Sequence, residues 1–293
     1  MEQKIYHLYT HSILHCGTGH SVGLVDLPIA RNRATHLPLA PGSSVRGVLR
    51  DAITNDPAGG ADTAKDLFGP LNVSGSSDSY AGALSVGDAN LLLLPVRAFQ
   101  GVLAYTTCPF ILKRYNADMN LDLAVPVPNA DTALHTDNNK NILNDLIVLE
   151  DLDLKTEVDK ADKKATGRWA DKIAEMIFAN STDAQDDFKR RFLILPDEVF
   201  IYLAETAMEI RTRIRINSET GVVQDGALWT EENLPPETVL WGVYAVSDSR
   251  KEKSTKEAAE LSKHLSKPRL LQLGGNAGIG SGLVQFLPVE AEQ

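Results

Sequence analysis

The stretch Leu273 to Gly282 constrains this chain more than any other, because Gly274, Gly275, Gly278, Gly280 and Gly282 crowd into it. Apolar residues precede it (Leu270, Leu271, Leu273) and follow it (Leu283, Val284, Phe286), so the pattern predicts a sharp strand–loop–strand turn. Glycine lacks a Cβ, so such a loop reaches positive φ and can set bare amide N–H groups against a bulky anion, a phosphate backbone being the obvious candidate. A tight turn alone would also account for it. A P-loop is excluded, since it needs Lys after the glycines and Gly280 is followed by Ser281 and Gly282. A dinucleotide fold would need a helix and a further strand after the loop, and the sequence runs only to Gln293. The loop therefore needs partners from elsewhere in the chain.

With 293 residues, 43% of them hydrophobic and 23% charged, the chain has an ordinary globular composition and enough length for a sizeable core. No apolar run approaches the roughly 18 residues of a membrane helix, and Met1-Glu2-Gln3-Lys4 lacks the apolar core of a signal peptide. Cys16 and Cys108 make no disulfide framework and suit a reducing compartment, so a cytoplasmic protein with no membrane partner is expected. A net charge of −10 argues against general coating of nucleic acid. Any nucleic-acid site is then local, or shared between subunits.

Residues 3–15 alternate as a strand, with Ile5, His7, Tyr9, His11, Ile13 and His15 on one face and Tyr6, Leu8 and Leu14 on the other. Three histidines on one face invite a zinc reading, but i and i+4 on a strand lie about 13 Å apart, too far for one ion. A glycine-rich turn follows, His15-Cys16-Gly17-Thr18-Gly19-His20. Then comes an extended segment from Gly23 to Arg31, in which Asp26 stands between apolar residues and Pro28 blocks a helix. Pro41-Gly42 predicts a turn, with Ser43 or Ser44 capping a helix. That helix puts Val45, Val48, Leu49 and Ala52 on its core face, with Arg46 and Arg50 one turn apart on the other. Free N–H groups beside an arginine pair make a phosphate site, although a capped surface helix has the same pattern.

Leu67-Phe68-Gly69-Pro70 ends a short helical piece, and Val73 to Tyr80 is a Ser/Gly-rich loop. A strand from Gly82 through Leu94, a hairpin partner over Arg97 to Thr106 and a helix from Pro109 follow. From about Asn116 to Gln185 the periodicity degrades, and the run from Glu150 to Lys164 reads as part of an irregular, solvated insertion. A helix over Asp197 to Ile210 leads to Arg211, Arg213 and Arg215, alternate residues with no interleaved acid, which predict a basic stripe on one strand face. Asn217 to Gly221 turns the chain and Val222-Val223 begins the return. Ala227 to Pro235 then reads as an apolar tip edged with acid, an arm able to wedge between bases or clasp a neighbouring subunit. Glu237 to Val246 is a strand, and Ser254 to Ser266 an amphipathic helix.

This order of elements is an α+β pattern that suits a ferredoxin-like domain of the RNA-recognition-motif type with insertions. Five segments resemble, in this order, the RAMP superfamily of CRISPR-Cas proteins: His15-Cys16-Gly17-Thr18-Gly19, Pro41-Gly42-Ser43-Ser44-Val45-Arg46-Gly47, Leu67-Phe68-Gly69, Gly82-Ala83-Leu84-Ser85-Val86-Gly87-Asp88-Ala89 and the terminal glycine loop. Gly226-Ala227-Leu228-Trp229-Thr230-Glu231-Glu232 narrows the resemblance to the repeated backbone subunit of the type III-B (Cmr) effector complex.

The resemblance implies one RAMP domain over 1–293: a palm over 1–50, 82–115, 190–212 and 237–288, finger insertions over 51–81 and 116–189, and a protruding β-hairpin thumb over 213–236. It implies copies stacked as a helical filament along a guide crRNA, beside other effector-complex subunits, with a target single-stranded RNA paired to the guide. The RNA would be gripped by Gly17, Gly19, Ser43, Ser44, Arg46, Arg50, Arg211, Arg213, Arg215, Gly275, Asn276, Gly278, Gly280 and Ser281. The thumb would push a base pair aside through Val222, Val223, Leu228 and Trp229. The implied cleavage residue is Asp26, with His15 and Glu231 placed near it, and Asn233 stands where many relatives carry an aromatic residue.

On this reading a displaced nucleotide rotates its 2′-OH into line with the adjacent phosphorus, so positioning supplies much of the rate. Asp26 would hold a divalent metal, Mg²⁺, or take the 2′-OH proton. An ordinary aspartate, with pKa about 3.9, is a poor base at neutral pH, which favours the metal. The expected product end is a 2′,3′-cyclic phosphate. The competing readings are a non-catalytic RNA-binding scaffold subunit of a CRISPR ribonucleoprotein and a small-molecule enzyme using the glycine loop for nucleotides.

Overall fold

The computed structural model describes residues 2–21, 23, 25–71, 79–158 and 164–289. Most of the expected loop over Val73 to Tyr80, and residues 159–163 of the expected insertion, lie outside these. The alternation that opens the chain forms β1 (Glu2–Thr10), followed by β2 (Leu39–Ala40), α1 (Gly42–Thr54), α2 (Gly60–Phe68), β3 (Leu84–Val86), β4 (Ala89–Ala98), β5 (Val102–Thr107) and α3 (Pro109–Asp118). The middle of the chain forms β6 (Thr132–His135), β7 (Ile142–Leu143), β8 (Leu146–Leu149), β9 (Leu152–Glu157), α4 (Ala165–Ile177), α5 (Thr182–Lys189), β10 (Phe192–Ile194) and α6 (Asp197–Thr206). Then come β11 (Glu209–Ile216), β12 (Val223–Asn233), β13 (Val239–Val246), α7 (Ala258–Ser262), β14 (Arg269–Gln272) and β15 (Leu283–Pro288). The α+β class expected from the sequence is the class observed.

One sheet runs β14-β15-β1-β13-β4-β5-β10-β6-β9-β8-β7, with β2 on β4 and β3 on β13, while β11 and β12 pair only with each other as a separate hairpin. The β5–β10 and β6–β9 pairs are parallel; around β1 every pairing is antiparallel. One face of β1 is covered by α3 and α4: His7 Nε2 lies 2.8 Å from Tyr115 Oη, and Tyr9 meets Phe178 edge-on. Helix α1 buries Val45, Leu49 and Ile53 at four-residue spacing. Each such burial contributes roughly 1.5–3 kcal/mol. Among the described residues no helix is long and apolar enough to cross a membrane.

Several boundaries move from their expected places. The first strand stops at Thr10 because its partners stop there: β15 begins at Leu283, whose carbonyl takes the His11 N–H at 2.8 Å. Helix α1 starts at Gly42 after Pro41, with no side-chain cap from Ser43 or Ser44. Instead Asp88 Oδ1 accepts the Gly42 N–H at 2.7 Å. The strand expected through Leu94 breaks at Gly87-Asp88, where Gly87 N–H turns to Val243 O. Helix α6 ends at Thr206 as Glu209 enters β11, and the expected helix over Ser254 to Ser266 shortens to α7 plus a 3-10 turn over Lys263–Leu265.

The largest correction concerns the described residues of 116–189, which are built structure rather than a solvated excursion. Helix α4 buries Trp169, Ala170, Ile173 and Ala174, and the Trp169 indole N–H donates to Ala124 O at 2.9 Å. Its ring packs on Tyr115, which in turn packs on Trp241 of β13. The turns between the short strands use left-handed Asn138, Asn144 and Asp145, which is why the sequence reads as loop.

Two outcomes follow. Trp169→Ala is expected to cost about 3–5 kcal/mol of global stability, read as a lowered denaturation midpoint; a near-neutral effect would make this region peripheral. His7 is buried, and desolvation pulls its pKa from 6.5 down to about 3. The unfolded chain therefore takes up the proton first, so stability is full above pH about 6.5 and falls as pH drops toward 3. In thermal unfolding, His7→Gln should lose about 2 kcal/mol less than the wild type between pH 6.5 and 5.

Candidate functional site

The segment between β1 and β2 is zipped along the base of the β11–β12 hairpin by main-chain bonds. Leu14 and Leu234 exchange N–H···O bonds of 3.0 Å, Leu27 N–H donates to Thr230 O at 3.1 Å, and Glu232 N–H donates to Leu27 O at 3.0 Å. This brings Asp26 onto β12. Its Oδ2 accepts the Thr230 N–H at 2.8 Å and the Thr230 hydroxyl at 2.9 Å, and its own N–H donates to Thr230 Oγ1 at 3.1 Å. Those bonds, the backbone one first and then the hydroxyl, with the charge of His20 nearby, hold the carboxyl below its usual range. Asp26 is therefore a carboxylate at neutral pH. Its Oδ1 has no protein partner among the described residues.

Glu231, by contrast, is buried to 3% exposure. Its Oε1 accepts the Trp229 indole N–H at 2.9 Å, while its Oε2 accepts Arg213 Nε at 3.1 Å and Asn276 Nδ2 at 2.9 Å. Burial pushes its pKa up, but the Trp229 and Arg213 donors outweigh that and leave it lowered. Glu232 turns the other way, to Arg31 Nη2 at 2.5 Å and Ile29 N–H at 3.0 Å. His15 is buried too, and its Nδ1 lies 2.7 Å from Glu232 O, so that nitrogen carries the hydrogen and donates it.

The glycine loop closes over His15. Gly275 N–H donates to His15 O at 2.9 Å, and Gly282 N–H to Ile13 O at 2.7 Å. Gly274 has φ 79°, and a Cβ there would stand 2.3 Å from His15 O; a Cβ on Gly17 would stand 2.5 Å from His15 Nε2. These glycines are thus required by close packing around a histidine. The expectation of a loop lined with bare amides holds only in part. The amides of Gly275, Gly280, Ser281 and Gly282 are taken within the chain. Those of Asn276, Ala277 and Gly278, entering a 3-10 turn, have no protein acceptor among the described residues.

The structure thus gathers His15, Glu231, Gly17, Gly275, Asn276, Arg213 and Trp229 at one place, with Asp26 joined to it through Thr230 on the opposite face of β12. Ser43 and Ser44 make no hydrogen bond with this cluster among the described residues and open α1, whose first amide meets Asp88, while Arg46 and Arg50 further along face the end of α2. Arg46 donates to Phe68 O at 2.8 Å and Arg50 to Gly69 O at 2.5 Å, with both guanidinium groups over the Phe68 ring. The expected bare arginine stripe on β11 is also corrected. Arg211 bonds Glu209 at 2.6 Å and Arg213 bonds Glu231, acids supplied by the strand's first residue and by its partner strand. Arg215 alone of the three is exposed and unpaired among the described residues. Gly19 and Gly278 are exposed. The hairpin tip is 217–222 rather than Ala227 to Pro235, so Trp229 belongs to the base, while Val222, Val223 and Leu228 are exposed along the arm. Thr230, His20, Arg31 and Glu232 were not legible as site residues, since their partners lie far away in sequence.

The chain that builds this hairpin and mixed sheet matches a known family over most of its length. The profile of the RAMP superfamily matches residues 7–285, and the chain belongs to that superfamily. Within it, the CRISPR system Cmr endoribonuclease Cmr4 of Pyrococcus furiosus is 34% identical over 294 residues, covering 97% of this chain and 95% of that protein. The crystal structure of oligomeric Cmr4 from Pyrococcus furiosus superposes with a TM-score of 0.74 at 27% identity, covering 100% of both chains. A chain of the type III-B Cmr-beta complex bound to cognate target RNA shares the fold, with a TM-score of 0.74 at 20% identity over 98% of this chain and 97% of that one.

The packing around His15 makes a sharp contrast testable. Gly274→Ala, which meets a backbone oxygen at positive φ, is expected to cost about 2 kcal/mol or more. Gly275→Ala, whose Cβ would lie 3.5 Å from the His15 ring, is expected to be tolerated. Melting temperatures of the two variants check this.

Proposed function

We propose that this chain is the crRNA-binding backbone subunit of a type III-B CRISPR effector complex, which oligomerises along the guide RNA and cleaves bound target RNA at regular intervals. The observation that carries the reading is Asp26, ionised and fixed at the hairpin base with one oxygen open. The name of the Pyrococcus furiosus relative, an endoribonuclease, supports the chemistry. One matching structure is of an oligomer and another is of a complex bound to target RNA. Both support the partners: further copies of the chain, other complex subunits, guide crRNA and target RNA.

The order β15-β1-β13-β4, antiparallel throughout and joined through α1 and α7, supports reading the core as a ferredoxin-like palm. The β11–β12 hairpin is then the thumb. Its exposed Val222, Val223 and Leu228 would displace a base pair of the guide–target duplex. Cys16 and Cys108 are free and buried, and burial raises the Cys16 thiol to about 12, in keeping with a cytoplasmic protein.

In the reaction the 2′-hydroxyl of the displaced nucleotide gives its proton to solvent and its oxygen bonds to the adjacent phosphorus, while the P–O5′ bond breaks and the 5′-oxygen takes up a proton from solvent, giving a 2′,3′-cyclic phosphate end and a 5′-hydroxyl end. Among the described residues no three His, Cys, Asp or Glu side chains are placed to hold a metal. One open carboxylate oxygen does fit Mg²⁺, which binds through one or two carboxylates, substrate phosphates and water. Asp26 Oδ1 would hold that ion, whose positive charge would offset charge on the reacting phosphate. A carboxyl held below its usual range is a weak proton acceptor, so Asp26 acts by position and charge. His15 through Nδ1, and Glu231 through both carboxylate oxygens, hold the hairpin base in place.

A scaffold that binds RNA without cutting it has one observation in its favour: Glu231, one of the three candidates, has both carboxylate oxygens engaged within the fold. Asp26→Ala separates the two readings. The variant complex is expected to assemble and bind target normally while cleavage drops roughly 100-fold or more. Undiminished cleavage, or a 3′-hydroxyl product end, rejects the enzyme reading.

A further inference from the structure

We propose that Thr230 is the positioning residue of the RNA-cleavage site: it locks the rotamer of Asp26 and so decides which carboxylate oxygen faces the RNA. This deepens the functional reading above and rests on it. Successive side chains of a strand point to opposite faces, so Trp229 and Glu231 turn toward Arg213 and the glycine loop while Thr230 turns toward Asp26. Both donors of Thr230 converge on a single oxygen, Oδ2, at 2.8 Å and 2.9 Å. Its hydroxyl oxygen at the same time accepts the Asp26 N–H at 3.1 Å.

The hydroxyl is thereby used in both directions, and a β-branched residue has little χ1 freedom with which to break that pattern. Asp26 is only partly buried, so packing does little to select its rotamer. The other charged groups near it are His20 on its own loop and, across β12, Glu231 with Arg213; none of these makes a hydrogen bond to the Asp26 carboxylate among the described residues. Thr230 is left as the residue that orients it. A carboxylate freed to rotate about χ1 and χ2 would present either oxygen, or neither, to the reacting phosphate, and misplacement by an ångström is enough to cost orders of magnitude in rate.

The test compares Thr230→Val, Thr230→Ser and Asp26→Ala in the complex assembled with its native partner subunits and guide. Target-RNA affinity and the first-order cleavage rate at saturating target are measured for each. Thr230→Val keeps the shape and loses the hydroxyl: affinity should stay within about twofold of wild type, with the rate lower by roughly tenfold or more. Thr230→Ser restores the hydroxyl and should recover at least about half of the wild-type rate. If the valine variant does not assemble, Thr230→Ala takes its place with the same expectation. The inference is overturned if the hydroxyl-free variant cuts at the wild-type rate, if the serine variant loses as much as the valine one, or if the rate falls only in step with affinity. Cleavage that survives Asp26→Ala is a separate result and overturns the functional reading itself.

Discussion

The buried carboxylate of Glu231 holds the working end of this molecule together. A desolvated charge is tolerable only when its lone pairs are met, and here they are met from three directions: Trp229 on its own strand, Arg213 on the partner strand and Asn276 from the glycine loop. The hairpin shares no strand ladder with the main sheet. Its attachment therefore depends on this cluster, on the His15–Glu232 bond and on the short main-chain rungs at Leu14 and Leu27. Asp26 hangs from that assembly through Thr230, so the reactive group is only as well placed as the hairpin base.

The acidic composition stops being a difficulty once the cations are located. Arg211 and Arg213 already neutralise acids of the hairpin, and Arg46 and Arg50 fasten the end of α2. The helix start that resembles a phosphate cradle holds Asp88 at its first amide. What remains open on the glycine loop, across β12 from Asp26, is a run of uncharged N–H groups from Asn276 to Gly278. A chain with net charge −10 can hold RNA through such a site without a broad basic face.

The parts legible in the sequence were those with a local cause. The glycine loop was readable because Gly274 must take positive φ against His15 O, and α1 because Val45, Val48, Leu49 and Ala52 repeat at helical spacing, with Ile53 completing the buried face. The region 116–189 was not, because strands of two to six residues are separated by left-handed Asn and Asp, and its apolar stripe on α4 comes only after them. The arginine stripe misled for a related reason: Glu231 lies 18 residues from Arg213 in sequence yet bonds it across the hairpin. Asp26 and Thr230 are 204 residues apart. No spacing rule reaches that far, and only the resemblance pointed to Asp26 at all.

One consequence of the internally bonded arginines concerns the ionic atmosphere around RNA. A protein that grips a polyanion with free cations displaces condensed counterions, and its affinity falls steeply as salt rises. Here four guanidinium groups are already engaged within the fold. Cations so engaged displace no counterions when RNA is captured, so affinity would fall less steeply with salt than the arginine count of the chain suggests.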